Sequence, residues 1–212
     1  ELSGEMLGRL QLRTARGPLR QLPAPGPRLR PATTPGGIAC KSCGGRFIVE
    51  RFDRELRVCP WCGHHGQVPA RMRAQQLADA STVQPIDAPV MDRDPLHFDD
   101  GTPYPRRVAD ARSKTGLDEA FLIARATMDG HPVVLAVMDF GFLGGSLGSA
   151  AGELFARGCE TAGAEQRALV AVCTSGGARM QEGIASLAQM ARCSAGVVAV
   201  SSAGLPYISV LA

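Results

Sequence analysis

The sequence predicts an α/β domain preceded by a small zinc ribbon, and three observations favour this fold class. Four of the seven cysteines form two Cys-x2-Cys pairs between residues 40 and 62. From about residue 101 onward, apolar β-prone runs alternate with stretches of helical periodicity. Glycine-rich loops stand where a strand gives way to a helix. Such loops lie at the carboxyl ends of the strands in an α/β sheet, which is where these sheets bind ligands.

The composition is that of a globular protein. Of the 212 residues, 45% are apolar and 20% are charged. The formal net charge of +3 is too small to indicate nucleic-acid binding by itself. The sequence shows no run of 18 or more apolar residues and no secretory signal near Glu1, so no membrane span is expected. Paired cysteines without a secretion signal indicate metal binding in a reducing compartment, and we expect a cytoplasmic location.

Changes in composition divide the chain into four segments. Residues 1–36 are rich in proline and arginine and are expected to form a disordered tail. Residues 37–69 hold the cysteine pairs and form the zinc ribbon. Residues 70–100 are a connector, with a helix at 71–80 followed by prolines that favour extended chain. Residues 101–212 are expected to be the N-terminal part of the main α/β domain.

The cysteine module predicts one structural zinc ion. Its four ligands are Cys40, Cys43, Cys59 and Cys62. Each pair forms a tight turn that points two thiolates inward, and the fifteen residues between the pairs are long enough for a hairpin across 47–52. Four sulfurs around one ion are the preference of zinc in structural sites, and they leave no position open for catalysis. His64 and His65 follow closely and are expected to lie outside the ligand set.

Nucleic-acid binding by this ribbon is an alternative function. Phe47, Phe52 and Trp61 offer rings for base stacking. Residues 37–69 carry an excess of two positive charges, but a zinc ion with four thiolates contributes a charge of about −2. The electrostatic driving force is therefore weak. A rigid cap beside an active site, or a docking surface for a partner, is at least as consistent with this segment.

Two apolar runs at 121–127 and 133–139 predict a β-hairpin. Between them stand Asp129 and Gly130, a pair that favours a tight two-residue turn. A glycine-rich stretch follows, and the helical spacing of apolar residues from Leu147 to Cys159 then predicts a helix. This order resembles the start of a sheet whose strands are joined by helices.

The pattern then repeats toward the end of the sequence. Residues 169–174 predict a buried strand, and a second glycine loop turns from it into a helix. This helix carries its apolar residues on one face, at Met180, Ile184, Leu187, Ala188 and Ala191. Residues 195–201 suit a strand or the end of that helix, and 206–212 predict a final strand.

The second glycine loop, 174–183, is the strongest candidate for the chemical centre. Gly176 and Gly177 at a strand-to-helix junction leave backbone N–H groups uncovered, and a helix N-terminus adds partial positive charge. This arrangement is typical of an oxyanion hole. A tight turn that needs positive φ is an equally consistent interpretation. Ser175 is not expected to be a nucleophile, because the GxSxG pattern is incomplete and no histidine lies nearby in sequence.

The first glycine loop, 144–148, matches neither GxGxxG nor the P-loop, so dinucleotide or ATP binding is a weak alternative. Its sequence is Gly-Gly-Ser-Leu-Gly, and longer blocks follow it: Ser175-Gly-Gly-Ala-Arg-Met-Gln-Glu-Gly183 and Gly204-Leu-Pro-Tyr-Ile-Ser-Val-Leu211. Together with the ribbon, these blocks resemble the carboxyltransferase β subunit of bacterial and plastid acetyl-CoA carboxylase. The resemblance runs from about residue 38 to residue 212, and the family continues beyond this point, so we expect a truncated chain.

The resemblance implies a ClpP/crotonase-like fold of repeated ββα units stacked as a spiral. It implies transfer of a carboxyl group from carboxybiotin to acetyl-CoA, giving malonyl-CoA for fatty acid synthesis. The N–H groups of Gly176 and Gly177 would stabilise the thioester enolate. The residues expected to bind substrate, chiefly its CoA part, are Gly144, Gly145, Ser146, Gly148 and Arg179.

The resemblance also implies partners. These are a carboxyltransferase α subunit in an α2β2 assembly, a biotin carboxylase that gives the complex its ATP-binding activity, and a biotin carboxyl carrier protein. Biotin is expected on that separate carrier, because no Ala/Val-Met-Lys-Met attachment site occurs in the chain. The ribbon would then serve as a structural lid. A crotonase-type hydrolase or isomerase is a further alternative, with Glu182 as its candidate acid/base, although pairing of Glu182 with Arg179 is the better expectation.

Overall fold

A computed structural model describes residues 37–86 and 94–212, and the chain divides into two units after His64. The predicted tail at 1–36 and part of the predicted connector, residues 87–93, lie outside the described residues. Each unit has its own buried cluster of side chains.

The first unit contains a two-stranded antiparallel ribbon and a short helix. Strands β1 (Ile38–Ala39) and β2 (Arg46–Phe47) pair on either side of the first cysteine pair. Helix α1 (Val49–Arg54) occupies the segment for which the sequence predicted a hairpin, so that prediction is wrong. The helix is favoured by ion pairs four residues apart, since the Arg51 guanidinium lies 3.0 Å from the Glu55 carboxylate.

The second unit is built on a five-stranded mixed sheet with the order β3-β4-β5-β6-β7. Its strands are β3 (Gln84–Pro85), β4 (Phe121–Met128), β5 (His131–Met138), β6 (Ala168–Cys173) and β7 (Tyr207–Leu211). The first three are antiparallel, whereas β5, β6 and β7 are parallel. The predicted hairpin and both later strands are therefore confirmed.

Helices cover both faces of this sheet. They are α2 (Ala70–Leu77), α3 (Tyr104–Thr115), α4 (Ser149–Ala164) and α5 (Ile184–Ser202). Alternate strand residues face opposite sides, so Leu135 and Val137 pack with α2 and α3 while Val134 and Ala136 pack with α4. The predicted helices at 71–80 and after Leu147 are confirmed, and residues 195–201 are helical.

The β4–β5 turn is held by the carboxylate of Asp79, which lies two residues after the end of α2. Asp129 and Gly130 both have positive φ, as the predicted two-residue turn requires. The Asp79 carboxylate accepts hydrogen bonds from both backbone N–H groups and from the Thr127 hydroxyl, at 2.6–2.9 Å. These bonds fix the chain reversal between the two central strands.

Helix α5 buries polar residues in its first half and the apolar Val200 near its end. Ser186 and Gln189 are buried, whereas Ile184 and Leu187 are exposed, so the prediction that these two belong to a buried apolar face is wrong. Within the part of the chain that the structure describes, α5 alone is long and apolar enough to cross a membrane. Length and composition are weak evidence for a span, and α5 packs along α4, where Gly196 lies against Cys159.

Candidate functional site

The four cysteines of the first unit converge on one point. Their Sγ atoms all lie within 4.8 Å of one another. Two of the separations are 3.7 Å, from Cys40 to Cys62, and 3.8 Å, from Cys43 to Cys59. A tetrahedral ion with metal–sulfur bonds of about 2.3 Å requires sulfur–sulfur distances of about 3.8 Å. The cluster therefore fits a four-thiolate metal site, and it fits the zinc ribbon that the sequence predicts.

Both cysteine pairs adopt the same turn. Cys40 N–H donates to the Gly45 carbonyl at 2.9 Å, and Cys59 N–H donates to the His64 carbonyl at 2.8 Å. In each turn the fourth residue after the first cysteine is a glycine with positive φ, and its N–H donates back to the carbonyl of that cysteine. Local backbone hydrogen bonds thus shape each half of the cysteine cluster.

The aromatic side chains of this unit pack against the cysteine cluster. Phe47 is buried and its ring centroid lies 4.9 Å from that of Phe52, and Trp61 packs against the same cluster. These rings support the cysteine cluster, with Phe47 buried and with Phe52 and Trp61 half-buried. Their arrangement gives no reason to favour nucleic-acid binding. His64 and His65 are exposed and do not belong to the group of converging ligands.

The two glycine loops of the second unit lie side by side after adjacent parallel strands. The first, the Gly144–Gly148 loop, follows β5. The second is shorter than the predicted 174–183 segment, because a 3-10 turn begins at Met180; its residues 174–178 follow β6 and are called the second loop, or the 174–178 loop, from here on. Leu147 N–H donates to the Gly177 carbonyl at 2.8 Å, and Arg179 N–H donates to the Leu147 carbonyl at 2.9 Å. Ser175 Oγ adds a third link by donating to the Gly145 carbonyl at 2.7 Å. The loops therefore form one bonded unit.

The two N–H groups that the sequence predicts for an oxyanion hole are exposed at this junction, and each has a partner inside the loops. Gly176 N–H donates to the Gly144 carbonyl at 2.9 Å. Gly177 N–H donates to Ser175 Oγ at 3.0 Å. Gly177 has a φ of +106°, so it also meets the alternative requirement of a turn that needs positive φ. A substrate oxygen at this point would compete with Gly144 and Ser175 for the same donors.

Two glycines of the first loop are required by close approach. A Cβ on Gly145 would overlap the Thr174 carbonyl oxygen of the second loop. A Cβ on Gly148 would overlap the side chains of Glu182 and Arg179. Both glycines are buried, so they act by letting the loops and the side chains beneath them come together.

Arg179, which the sequence predicts to bind substrate, lies inside the domain with no exposed side-chain surface. Its guanidinium donates to Glu119 at 2.7 and 2.5 Å and to the Tyr104 hydroxyl at 3.1 Å. It also donates to Ser146 Oγ at 3.2 Å and to the Ser146 carbonyl at 2.6 Å. All of these hydrogen bonds lie within the protein, so the guanidinium joins Glu119 to the first loop and is not exposed for the direct substrate contact that the sequence predicted.

Glu182 completes the buried network and does not reach solvent. One oxygen accepts from the Tyr104 hydroxyl at 2.6 Å and lies 3.6 Å from Arg179, so the expected ion pair with Arg179 is present. The other oxygen accepts from Ser149 N–H at 2.7 Å, at the positive end of α4. Burial raises the pKa of Tyr104 well above its usual range. A carboxylate bound in this way is poorly placed to be a crotonase-type acid/base.

Helix α5, which the sequence predicted to follow directly from the second loop, begins later than predicted. A 3-10 turn (Met180–Glu182) and Gly183 separate the second loop from α5, which starts at Ile184. The α5 N-terminus is thus several residues away from Gly177, and the loop N–H groups themselves are the donors at the junction. Ser175 Oγ donates to a carbonyl, which agrees with the expectation that it is not a nucleophile.

Solved structures share this fold. A transcarboxylase 12S structure described as a hexamer assembly with methylmalonyl-coenzyme A bound aligns with a TM-score of 0.56 and 26% identity. The alignment covers 78% of this chain and 28% of that one. A second transcarboxylase 12S structure aligns with a TM-score of 0.54 over 78% of this chain. The sheet and the paired loops therefore place the molecule in the crotonase-like class of carboxyltransferase folds, as predicted.

The family follows from sequence similarity. The family model described as the carboxyl transferase domain matches residues 89–212, and the chain belongs to this family. The acetyl-coenzyme A carboxylase carboxyl transferase subunit beta of Gloeobacter violaceus is 48% identical over 172 residues, which are 81% of this chain and 57% of that protein. The subunit of the same name from a strain of Thermus thermophilus is 46% identical over 172 residues, which are 81% of this chain and 60% of that protein.

A third relative joins two subunits in one protein. The carboxyl transferase subunits beta/alpha of Frankia alni are 46% identical over 183 residues, which are 85% of this chain and 30% of that protein. The chain thus spans between about a third and three fifths of the curated relatives described here. The predicted resemblance to the carboxyltransferase β subunit is confirmed.

Sequence reasoning missed Glu119 and Tyr104. Glu119 stands just before an apolar run and resembles any charged residue at a strand end, and Tyr104 lies in a stretch for which no helix was predicted. No local signal pointed to either residue, because Glu182 in the same segment already offered Arg179 an acidic partner.

Proposed function

We propose that this chain acts in acetyl-CoA carboxylase, in the transfer of a carboxyl group from carboxybiotin to acetyl-CoA to form malonyl-CoA. The observation that carries the proposal is the pair of bonded glycine loops after β5 and β6, within the segment that matches the carboxyl transferase family. The names of the relatives from Gloeobacter violaceus and Thermus thermophilus support acetyl-CoA as the acceptor of the carboxyl group.

In this proposal Gly176 and Gly177 bind the thioester oxygen of acetyl-CoA as negative charge develops on it. The N–C bond of carboxybiotin breaks and releases carbon dioxide, and the ureido nitrogen set free takes a proton from the methyl carbon of acetyl-CoA. The electron pair of that C–H bond moves toward the carbonyl as the enolate forms. The enolate carbon then bonds to the carbon dioxide, which gives malonyl-CoA. The thioester oxygen takes the place of the Gly144 carbonyl and of Ser175 Oγ as the acceptor, so no donor is left unpaired. Because the ureido nitrogen of biotin serves as the base, the proposal gives no side chain of this chain an acid/base role.

The CoA portion is assigned to the first loop. Gly144 borders a crevice that is also lined by Arg107, Asp110 and Lys114. Arg107 pairs with Asp100, so Lys114 is the cation proposed to bind the phosphates of CoA. Gly145, Ser146 and Gly148 then shape this wall through the loop backbone. Arg179 supports it from the buried side.

The four cysteines are proposed to hold one structural zinc ion, because four thiolates leave no open coordination position. The partners are proposed to be a carboxyltransferase α subunit, a biotin carboxyl carrier protein with its biotin, and a biotin carboxylase. The Frankia alni relative, which joins beta and alpha subunits in one protein, supports the first of these.

The test is reconstitution of the complete β subunit with an α subunit, carboxybiotin and acetyl-CoA. The expected product is malonyl-CoA, followed by mass spectrometry. Gly177→Val should abolish turnover, because Val is strained at a φ of +106° and would displace the donor, while the zinc content should not change. Gly163→Ala is the matched control, since a Cβ there meets no atom within 4 Å. An absence of malonyl-CoA with the wild-type protein would exclude the proposed function.

A further inference from the structure

Glu119 fixes the orientation of the guanidinium that joins the two loops. Its two oxygens accept from two different nitrogens of Arg179, at 2.5 and 2.7 Å. Two parallel bonds between a planar guanidinium and a carboxylate define the plane of both groups. Glu119 is itself fixed, because Oε1 also accepts from Ala120 N–H at 2.7 Å just before β4. The orientation of Arg179 is therefore set by the backbone at the start of the internal strand β4.

The first loop is bound to the remaining donors of the same guanidinium. Ser146 presents its carbonyl at 2.6 Å and its hydroxyl at 3.2 Å. The backbone N–H of Arg179 is bonded to Leu147 in the first loop, one residue beyond Ser146. Side chain and backbone of Arg179 thus bind successive residues of the first loop, while the Arg179 backbone continues directly from the second loop.

This arrangement is stiff because the charges are buried. Arg179 and Glu119 are 1% and 2% exposed, so neither can exchange its partner for water. Moving the guanidinium would leave a buried charge without its full set of bonds, which is strongly unfavourable. Neighbouring side chains limit it further, since Tyr104 accepts from Arg179 and donates to Glu182.

We propose that Glu119 is a positioning residue which, through Arg179, sets the spacing of the Gly144–Gly148 loop and the 174–178 loop and so aligns the donors at Gly176 and Gly177. The inference depends on the proposed function for its kinetic test only. The spacing of the two loops does not depend on that function, and hydrogen exchange measures it on the chain alone.

The variant that tests this is Glu119→Gln, which keeps the shape of the side chain and removes its charge. Glu165→Gln is the matched control, because Glu165 also forms ion pairs with arginine, here Arg125 and Arg167, but on the surface. Tyr104→Phe is a milder change that removes one hydroxyl of the network and no charge, so it is expected to fold. Both kcat and KM for acetyl-CoA are measured in the reconstituted carboxyltransferase, and hydrogen exchange is measured on the chain alone.

Glu119→Gln is expected to lower kcat about a hundredfold, the size of effect that a misplacement of about 1 Å produces, with KM changed less than about threefold. Tyr104→Phe is expected to lower kcat about tenfold. The amides of Leu147 and Arg179 should exchange at least about tenfold faster in Glu119→Gln than in Glu165→Gln, because the bonds between the loops open more often.

Unchanged kcat per folded molecule in Glu119→Gln, with a lower melting temperature alone, would show that the pair serves stability only and would overturn the inference. If Glu119→Gln does not fold, Tyr104→Phe decides, and wild-type kcat together with wild-type exchange at Leu147 would overturn it. If the wild-type complex forms no malonyl-CoA, the proposed function fails, while faster exchange at Leu147 in Glu119→Gln would still support the positioning role.

Discussion

Gly176 N–H donates a hydrogen bond to the Gly144 carbonyl oxygen at 2.9 Å, which joins the two glycine loops at their exposed side. The same contact occupies one of the two donors that the proposed chemistry needs. Because the acceptor belongs to a half-exposed residue that water can also reach, exchange of the Gly144 carbonyl for a substrate oxygen costs little. The junction is thus ordered without substrate and remains able to bind it.

The close approach of the two loops at Gly145 predicts that adding one methyl group there lowers the stability of the fold. Gly145→Ala places a Cβ against the Thr174 carbonyl at a left-handed φ of +64°, so we expect a loss of about 2–4 kcal/mol in the free energy of unfolding. Gly163→Ala on α4 should be neutral or more stable by up to about 1 kcal/mol. Urea denaturation of both variants checks this, and equal stabilities would contradict the observed packing of the loops.

The cysteine cluster predicts selective loss of metal. Cys59→Ser removes one of four converging thiolates, so zinc should be lost to a competing chelator at concentrations that leave the wild type with about one ion per chain. Cys173→Ser lies at the end of β6, outside the cluster, and should bind zinc as the wild type does. The ratio of zinc to protein is measured by a colorimetric chelator. Full retention of zinc in Cys59→Ser would exclude a four-cysteine site.

Asp79 predicts a pH-dependent contribution to stability. Hydrogen bonds from the Thr127 hydroxyl and from the Gly130 and Asp129 N–H groups hold the pKa of its carboxyl below the ordinary value. An unfolded Asp has a pKa of about 3.9, so between the two pKa values the unfolded state binds more protons and stability rises with pH. The contribution is present above about pH 4 and is lost as the pH falls through the pKa of the folded protein.

The difference in melting temperature between the wild type and Asp79→Asn should therefore be largest near neutral pH and shrink below about pH 4. Asp110→Asn, on the exposed side of α3, is the comparison. A difference that stays constant from about pH 6 to about pH 2.5 would show that the Asp79 charge does not hold the β4–β5 turn.

The buried position of Cys159 predicts that its thiol is unreactive toward alkylating agents in the folded protein. Burial raises its pKa to about 12, and its side chain packs between α4 and α5 against Gly196. Iodoacetamide at about pH 8 should not modify it until the chain unfolds, because thiolate is the reactive form. Peptide mass spectrometry follows the reaction, with the half-buried Cys173 as the comparison. Labelling of Cys159 at the same rate in native and denatured protein would contradict its burial.

The elements that the sequence predicted well are those with local signals. The Asp129-Gly130 pair fixed the turn between β4 and β5, and the apolar spacing after Leu147 indicated α4. Both cysteine pairs form tight turns, as predicted. The segment between them does not form the predicted hairpin, because residues 49–54 are the helix α1. Short helices and short hairpins have similar patterns of apolar residues, so periodicity could not separate them.

The face that a helix buries was decided by its neighbours. The sequence correctly predicted a helix at α5, but the predicted apolar face is exposed at Ile184 and Leu187. Gln189 is buried instead, where the glycine at position 152 leaves room for its side chain. Apolar periodicity shows that a face exists and not what covers it.

The sequence by itself determined the family, the four converging cysteines and the two glycine loops, because each is a short pattern of residues with local geometry. Only the tertiary structure decided that Arg179 is buried, that Glu119 is its partner sixty positions away, and that the two loops are bonded to each other. The physical reason is that a charge can be buried only where another part of the chain supplies all of its hydrogen bonds. No local pattern records which distant residue meets that need.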